Sequence, residues 1–203
     1  MAFRRGAAAC FASLAFALAQ PALAQSVATE AQIYGAVLRH LLGGLKGEQV
    51  FVVAGDTVSL KEAYARMGSL LFEVPRDLED RLAEVPAPLR EDILRKDATS
   101  QAIALPTRGL PGNVRLKFVP RFELDGFFPA GKPADWHRFE AKYDNARGVL
   151  ELSRIGFDAE RRTALVFVSK SCPGLCGFGL YLLLEQQGSD PWKVAKTWQV
   201  WIS

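Results

Sequence analysis

Four apolar runs separated by short polar turns fill the last quarter of the chain, and they constrain its fold more than any other feature. They are Val149–Ile155, Thr163–Val168, Phe178–Glu185 and Trp192–Ile202. Each is too short for a stable isolated helix and rich in Val, Leu, Phe and Trp, which marks strands. Asp158–Arg162 and Gln187–Pro191 are polar turn segments between them, so the runs read as a meander of hairpins. In the last run Trp192, Val194, Trp198, Val200 and Ile202 fall on one face by period two, which makes Trp192 and Trp198 core candidates. Trp201 falls on the opposite face and is expected at the surface.

The preceding half reads mainly as helices. Thr29-Glu30-Ala31-Gln32 has the form of a capping box, and Ile33, Val37 and Leu41 repeat at helical spacing down to Gly43-Gly44. Val50–Val53 is a short strand. Ser59-Leu60-Lys61-Glu62 is a second capping box, with helical spacing continuing through Tyr64, Met67 and Leu71. Shorter helices are expected near Asp77–Glu84, Leu89–Lys96 and Asp135–Tyr143, with Pro75, Pro86 and Pro88 as punctuation. After Pro111-Gly112, Val114, Leu116 and Phe118 alternate with Arg115, Lys117 and Val119 as a half-buried strand. The expected fold class is α+β, with N-terminal helices packed on a C-terminal antiparallel sheet, in the manner of a cone-shaped helix-on-sheet domain.

Residues 1–24 have the layout of a secretory signal peptide. Arg4 and Arg5 form a positive start, Ala7–Leu18 is apolar and uncharged, and Ala22-Leu23-Ala24 supplies small residues for cleavage before Gln25. A membrane span needs about 20 apolar residues, and Gln20 and Pro21 interrupt this run first. Removing the 24-residue leader from the 203-residue chain leaves 25–203 as one domain, and losing two arginines takes the formal charge from +3 to +1. Cys10 leaves with the leader, so Cys172 and Cys176 remain as one pair in an oxidising compartment, the periplasm or the medium. No further stretch has spanning length, and the near-neutral balance lacks a nucleic-acid footprint.

Cys172-Pro173-Gly174-Leu175-Cys176 lies between two expected strands. A structural disulfide across the turn is one reading. Thiol exchange or capture of a cuprous ion is the other, with His137 or His40 as a third ligand. With only two histidines and no second cysteine pair, a structural zinc site has too few ligands. Ser153, His137 and Asp158 form the only hydrolase set to be picked out, with no nucleophile-elbow motif around the serine. Glu79, Asp80, Glu84, Glu91 and Asp92 read as solvated helix faces. Arg115, Lys117 and Arg121 read as an exposed strand face, Arg161-Arg162 as a turn. No cofactor fingerprint is present.

The segments Leu152–Asp158, Ala164–Val168, Leu175–Glu185, Trp192-Lys193-Val194 and Trp201-Ile202-Ser203 resemble, as a series, a family of secreted bacterial proteins of uncharacterised activity. The resemblance covers residues 149–203; Trp136 and Phe139 match it loosely. It implies a hairpin-rich sheet running to the C-terminus and implies no activity. Pro173 departs from the family's usual glycine and stiffens the turn. These features together favour a non-catalytic exported domain that binds a partner protein or small ligand, with a redox or copper-handling protein as the alternative.

Overall fold

The computed structural model of the chain describes residues 12–63, 83–105, 109–129, 133–144 and 146–203, with side chains from residue 26 onward. The described elements are α1 (Ala12–Leu42), β1 (Gln49–Ala54), α2 (Ala87–Lys96), β2 (Val114–Val119), α3 (Arg121–Asp125), α4 (Trp136–Lys142), β3 (Ala146–Leu152), β4 (Gly156–Phe157), β5 (Thr163–Ser171), β6 (Phe178–Glu185) and β7 (Lys193–Ile202). The α+β class is therefore as expected. The helices expected through Tyr64, Met67 and Leu71 and over most of Asp77–Glu84 lie outside the described residues.

One seven-stranded sheet runs in the order β2-β1-β3-β5-β6-β7, with β4 also paired to β5. Pairing of β3 with β5, β5 with β6 and β6 with β7 is antiparallel, as the hairpin turns require. The other half departs from the expected antiparallel meander, because β1 lies parallel to both β2 and β3. Parallel neighbours need long connections, and the intervening chain carries the short helices.

Alternation along the central strands sends apolar side chains to both faces, so both faces need cover. On one face Ile33, Tyr34 and Val37 of α1 pack against Val166, Val168 and Leu182. On the other, Leu89 and Ile93 of α2 meet Leu165, Phe167 and Tyr181. Further along that second face, Leu124, Phe127, Phe139 and Tyr143 cover Val52 and Val149. Helices thus lie on both sides of a mixed sheet, not on one side of an antiparallel one.

Local capping follows the sequence in part. Asp135 accepts the Arg138 N–H at 3.0 Å and starts α4. Gly43 N–H closes α1 on Arg39 O at 2.9 Å. Thr29, however, lies inside α1, because the apolar stretch before it continues the helix and leaves no end to cap. At the helical turn beginning at Leu60, Asp97 from the end of α2 accepts the Leu60 N–H at 2.6 Å and the Ser59 hydroxyl at 2.9 Å. A remote carboxylate thus joins the local box. The run Val149–Ile155 is also not one strand. The Ser153 hydroxyl accepts the Phe167 N–H at 2.9 Å and donates to Arg154 O at 2.7 Å, replacing ladder bonds where β3 stops.

Candidate functional site

The β5–β6 hairpin closes on a turn in which Gly174 has φ of +79°, a conformation that favours glycine. A disulfide joins Cys172 and Cys176 across it, with Cα atoms 5.9 Å apart. Cys172 is buried, Cys176 is exposed, and Leu175 at the tip is 89% exposed. The C-terminus clasps the loop: Ser203 N–H donates to Gly177 O and Gly177 N–H to Ser203 Oγ, each at 3.0 Å.

Trp201 completes this corner, and it corrects the sequence expectation. It is buried, packed with Phe167 and Tyr181, not at the surface. The cause is that both faces of the sheet are covered: Trp201 does lie opposite Trp192, but that face is core under α2 and not solvent. Two register shifts in the β6–β7 pairing, between Leu183 and Leu184 and between Gly179 and Leu180, each flip the faces beyond them, so they cancel at Trp201 and move only the stretch around Trp198. Trp192 therefore packs on the α1 face, and Trp198, half-buried, joins Trp201 on the α2 face. A Cβ at residue 179 would lie 1.9 Å from the Trp201 indole nitrogen, so only glycine leaves room for the ring. Gly156 does the same for α2, where a Cβ would lie 2.6 Å from Leu89 O. The quoted segments of the C-terminal series thus contain close-packing positions.

The residues singled out for chemistry do not converge. Ser153 is buried with its hydroxyl committed to backbone partners. Asp158 accepts the N–H groups of Arg162 and Thr163 and the Thr163 hydroxyl, organising the turn before β5. His137 is exposed on α4 and His40 exposed on α1. Among the described residues no three His, Cys, Asp or Glu side chains form a metal-holding group. Glu84 and Glu91 are exposed as expected, and Glu84 accepts the Trp198 indole N–H at 3.0 Å. Glu79 and Asp80 lie outside the described residues.

Asp92 overturns its reading as a solvated residue. It is buried, accepts the Phe157 N–H at 2.8 Å and Lys96 Nζ at 2.5 Å, and pairs with Arg95. Burial pushes its carboxyl pKa up, but the hydrogen bonds from Lys96 and Phe157 outweigh that and hold it below the ordinary range. Its role is to fasten α2 to β4.

Arg121 is the second correction. Expected on an exposed strand face with Arg115 and Lys117, it instead opens α3 and turns inward. Its guanidinium lies 3.2 Å from Glu151, 3.3 Å from Glu62 and 3.4 Å from Asp125. Glu151 sits mid-strand in β3, directly opposite Ser169 of β5, whose hydroxyl donates to it at 3.3 Å. Burial raises the Glu151 pKa, with Arg121 and Ser169 opposing. This ionic seam separates the two apolar clusters of the second face. Sequence reasoning passed over it, although Val149-Leu150-Glu151-Leu152 contains the signal: a charge inside an apolar central strand needs a buried counter-ion.

Arg115 and Lys117 do remain exposed, with Arg115 2.7 Å from Glu48. A depression of about 130 Å³ near the β6–β7 turn, lined by Glu185, Gln187, Asp190, Pro191, Lys193 and Ala195, is below the size of common ligand pockets. Among the described residues no helix is long and apolar enough to cross a membrane. Comparison with protein-family models, with curated proteins and with solved structures returns no match for this chain.

Proposed function

We propose that the protein is an exported, non-catalytic domain that acts in the periplasm or outside the cell by binding a partner protein or small ligand. In this reading residues 1–24 are removed as a signal peptide and residues 25–203 work as one domain. The observation that supports it is where apolar side chains remain exposed. Phe118 and Phe122 are 47% and 77% exposed on the β2 side of the sheet, and Leu175 and Ile202 are 89% and 65% exposed beside the disulfide loop. Ser153, Asp158, Asp92 and Arg121 are meanwhile committed to backbone hydrogen bonds, a turn and ion pairs. A cone-shaped helix-on-sheet arrangement would favour a ligand held inside; exposure at the sheet's sides favours a protein partner.

The test is photo-crosslinking in cells that export the protein natively, with the reactive residue placed at Phe122, at Leu175 or at the exposed turn residue Glu160. Discrete adducts at Phe122 or Leu175, absent at Glu160, support the reading; equal adducts or none at all three positions refute it.

The thiol-redox or copper alternative draws on the asymmetry of the disulfide. An external thiolate can reach the exposed Cys176 sulfur, form a mixed disulfide there and release Cys172 as thiolate. A second external thiolate then attacks the external sulfur of that mixed disulfide, releasing Cys176 as thiolate and leaving the reductant as its own disulfide, and the two freed sulfurs would be the Cu(I) ligands. Intact mass with and without thioredoxin-type reductants and Cu(I) separates this from a disulfide that only clamps the turn.

A further inference from the structure

We infer that the outer edge of β2, unpaired among the described residues, is a strand-addition site for an extended peptide segment of a partner, one that alternates apolar and acidic residues. The inference rests on the binding-domain reading above and specifies its surface and partner class. The two outer strands of the sheet differ in how they are guarded. β7 carries two register shifts, and Lys193 and Lys196 stand exposed along it. Bulges and lysines are devices that discourage a further strand. β2 pairs with β1 in unbroken register from Gln49 opposite Val114 to Ala54 opposite Val119, and among the described residues β1 is its only paired neighbour. Its other backbone edge is regular over six residues.

Side chains on β2 specify what such an edge would accept, because an added strand alternates its own side chains beside them. Leu116 is partly buried and Phe118 exposed on the face covered by α1, and they offer apolar contacts to every second peptide residue. Arg115 and Lys117 stand exposed on the opposite face, where Glu48 pairs with Arg115 and leaves the strand's two cations in excess. The intervening peptide residues should therefore be acidic. A lysine-bearing edge alone is a guard against aggregation; beside an exposed Phe118 and Phe122 it becomes selective for the opposite charge.

The test uses isotope-labelled protein purified after export and an eight-residue peptide alternating Val or Thr with Glu. Lysine-for-glutamate and scrambled versions serve as controls. The expected result is amide shifts concentrated at Val114–Val119, absent with both control peptides. Charge reversal by R115E with K117E, both at exposed positions, should weaken the acidic peptide at least tenfold and allow the lysine peptide to bind. Lys196→Glu on β7 should change neither. Unmoved β2 amides with crosslinks at Phe122 intact overturn strand addition and leave the binding reading standing. Loss of both overturns both. Shifts at β2 that grow with protein concentration and need no peptide overturn the peptide partner in favour of a second copy of the chain.

Discussion

The antiparallel half of the sheet, β5 to β7, and the parallel half, β1 to β3, are held by different means. In the first, hairpins bring neighbours together locally, and the fit is steric: Trp201 fills the space left by Gly179 and Gly177, and the disulfide and Ser203 close the corner. In the second, strands distant in sequence meet side by side, and their helical cover adjoins the ionic seam of Arg121 and Glu151. The steric half tolerates no added atoms and is guarded at its edge. The other half carries a buried charge pair, and among the described residues its outer strand β2 pairs on one side only. Rigidity and availability are thus placed on opposite sides of one sheet.

Breaking the steric half should have the largest effect on stability. Trp201→Ala removes a buried indole and is expected to cost about 3–5 kcal/mol in urea unfolding. An alanine at Gly179 should also destabilise, since its Cβ would occupy the ring's position. If Trp201→Ala costs under about 1 kcal/mol, the corner is not the packed centre described here.

Breaking the ionic half comes next. Arg121→Met leaves Glu151 buried without its main counter-charge and is expected to cost about 3 kcal/mol near neutral pH. That cost should shrink on acidification as Glu151 becomes protonated. The wild-type protein carries the same signature more weakly. Because the folded pKa of Glu151 is raised, its contribution is fully present below the ordinary glutamate value of about 4.3 and is lost as pH rises through the folded value. Glu151→Gln should lack that loss, so stability curves against pH for the two proteins should converge at low pH. Asp92, held below its ordinary value, works oppositely: its contribution is lost as pH falls. A pH-independent Arg121→Met penalty would show that Glu151 is not the group left exposed to the loss.

Smaller effects sharpen the contrast. Replacing both Cys172 and Cys176 by serine should cost about 2 kcal/mol, because the closed loop is short. Leu175→Ser, at an exposed tip, should change stability by less than about 0.5 kcal/mol while reducing any partner adduct formed there.

The same contrast explains what could be read from the chain. β6 spans the expected residues and β5 and β7 nearly do, because local hairpins write period two directly into sequence. The bulges that carry Trp198 to the face of Trp201 leave no such mark; they arise from pairing between strands. Neither does the parallel alignment of β1 with β2 and β3, which depends on partners separated by helices and loops. The Cys172–Cys176 pairing was one of two readings of a turn motif, and the structure contains it. The Arg121–Glu151 seam was legible only as an oddity, one charge inside an apolar strand. Thr29 and Ser59 show the limit of local rules: α1 runs on past the first, and Asp97 from another helix joins the second.

The central claim is that the cysteine pair clamps the fold while binding occurs at the exposed sides of the sheet. Its most direct test is crosslinking from Phe122, remote in sequence from the disulfide, in protein carrying Cys172→Ser and Cys176→Ser together. The expected result is the wild-type pattern of adducts from a folded, slightly less stable protein. Loss of the adducts from protein that is still folded, or a wild-type adduct that reductant releases, would place the cysteines in the function itself and contradict the claim.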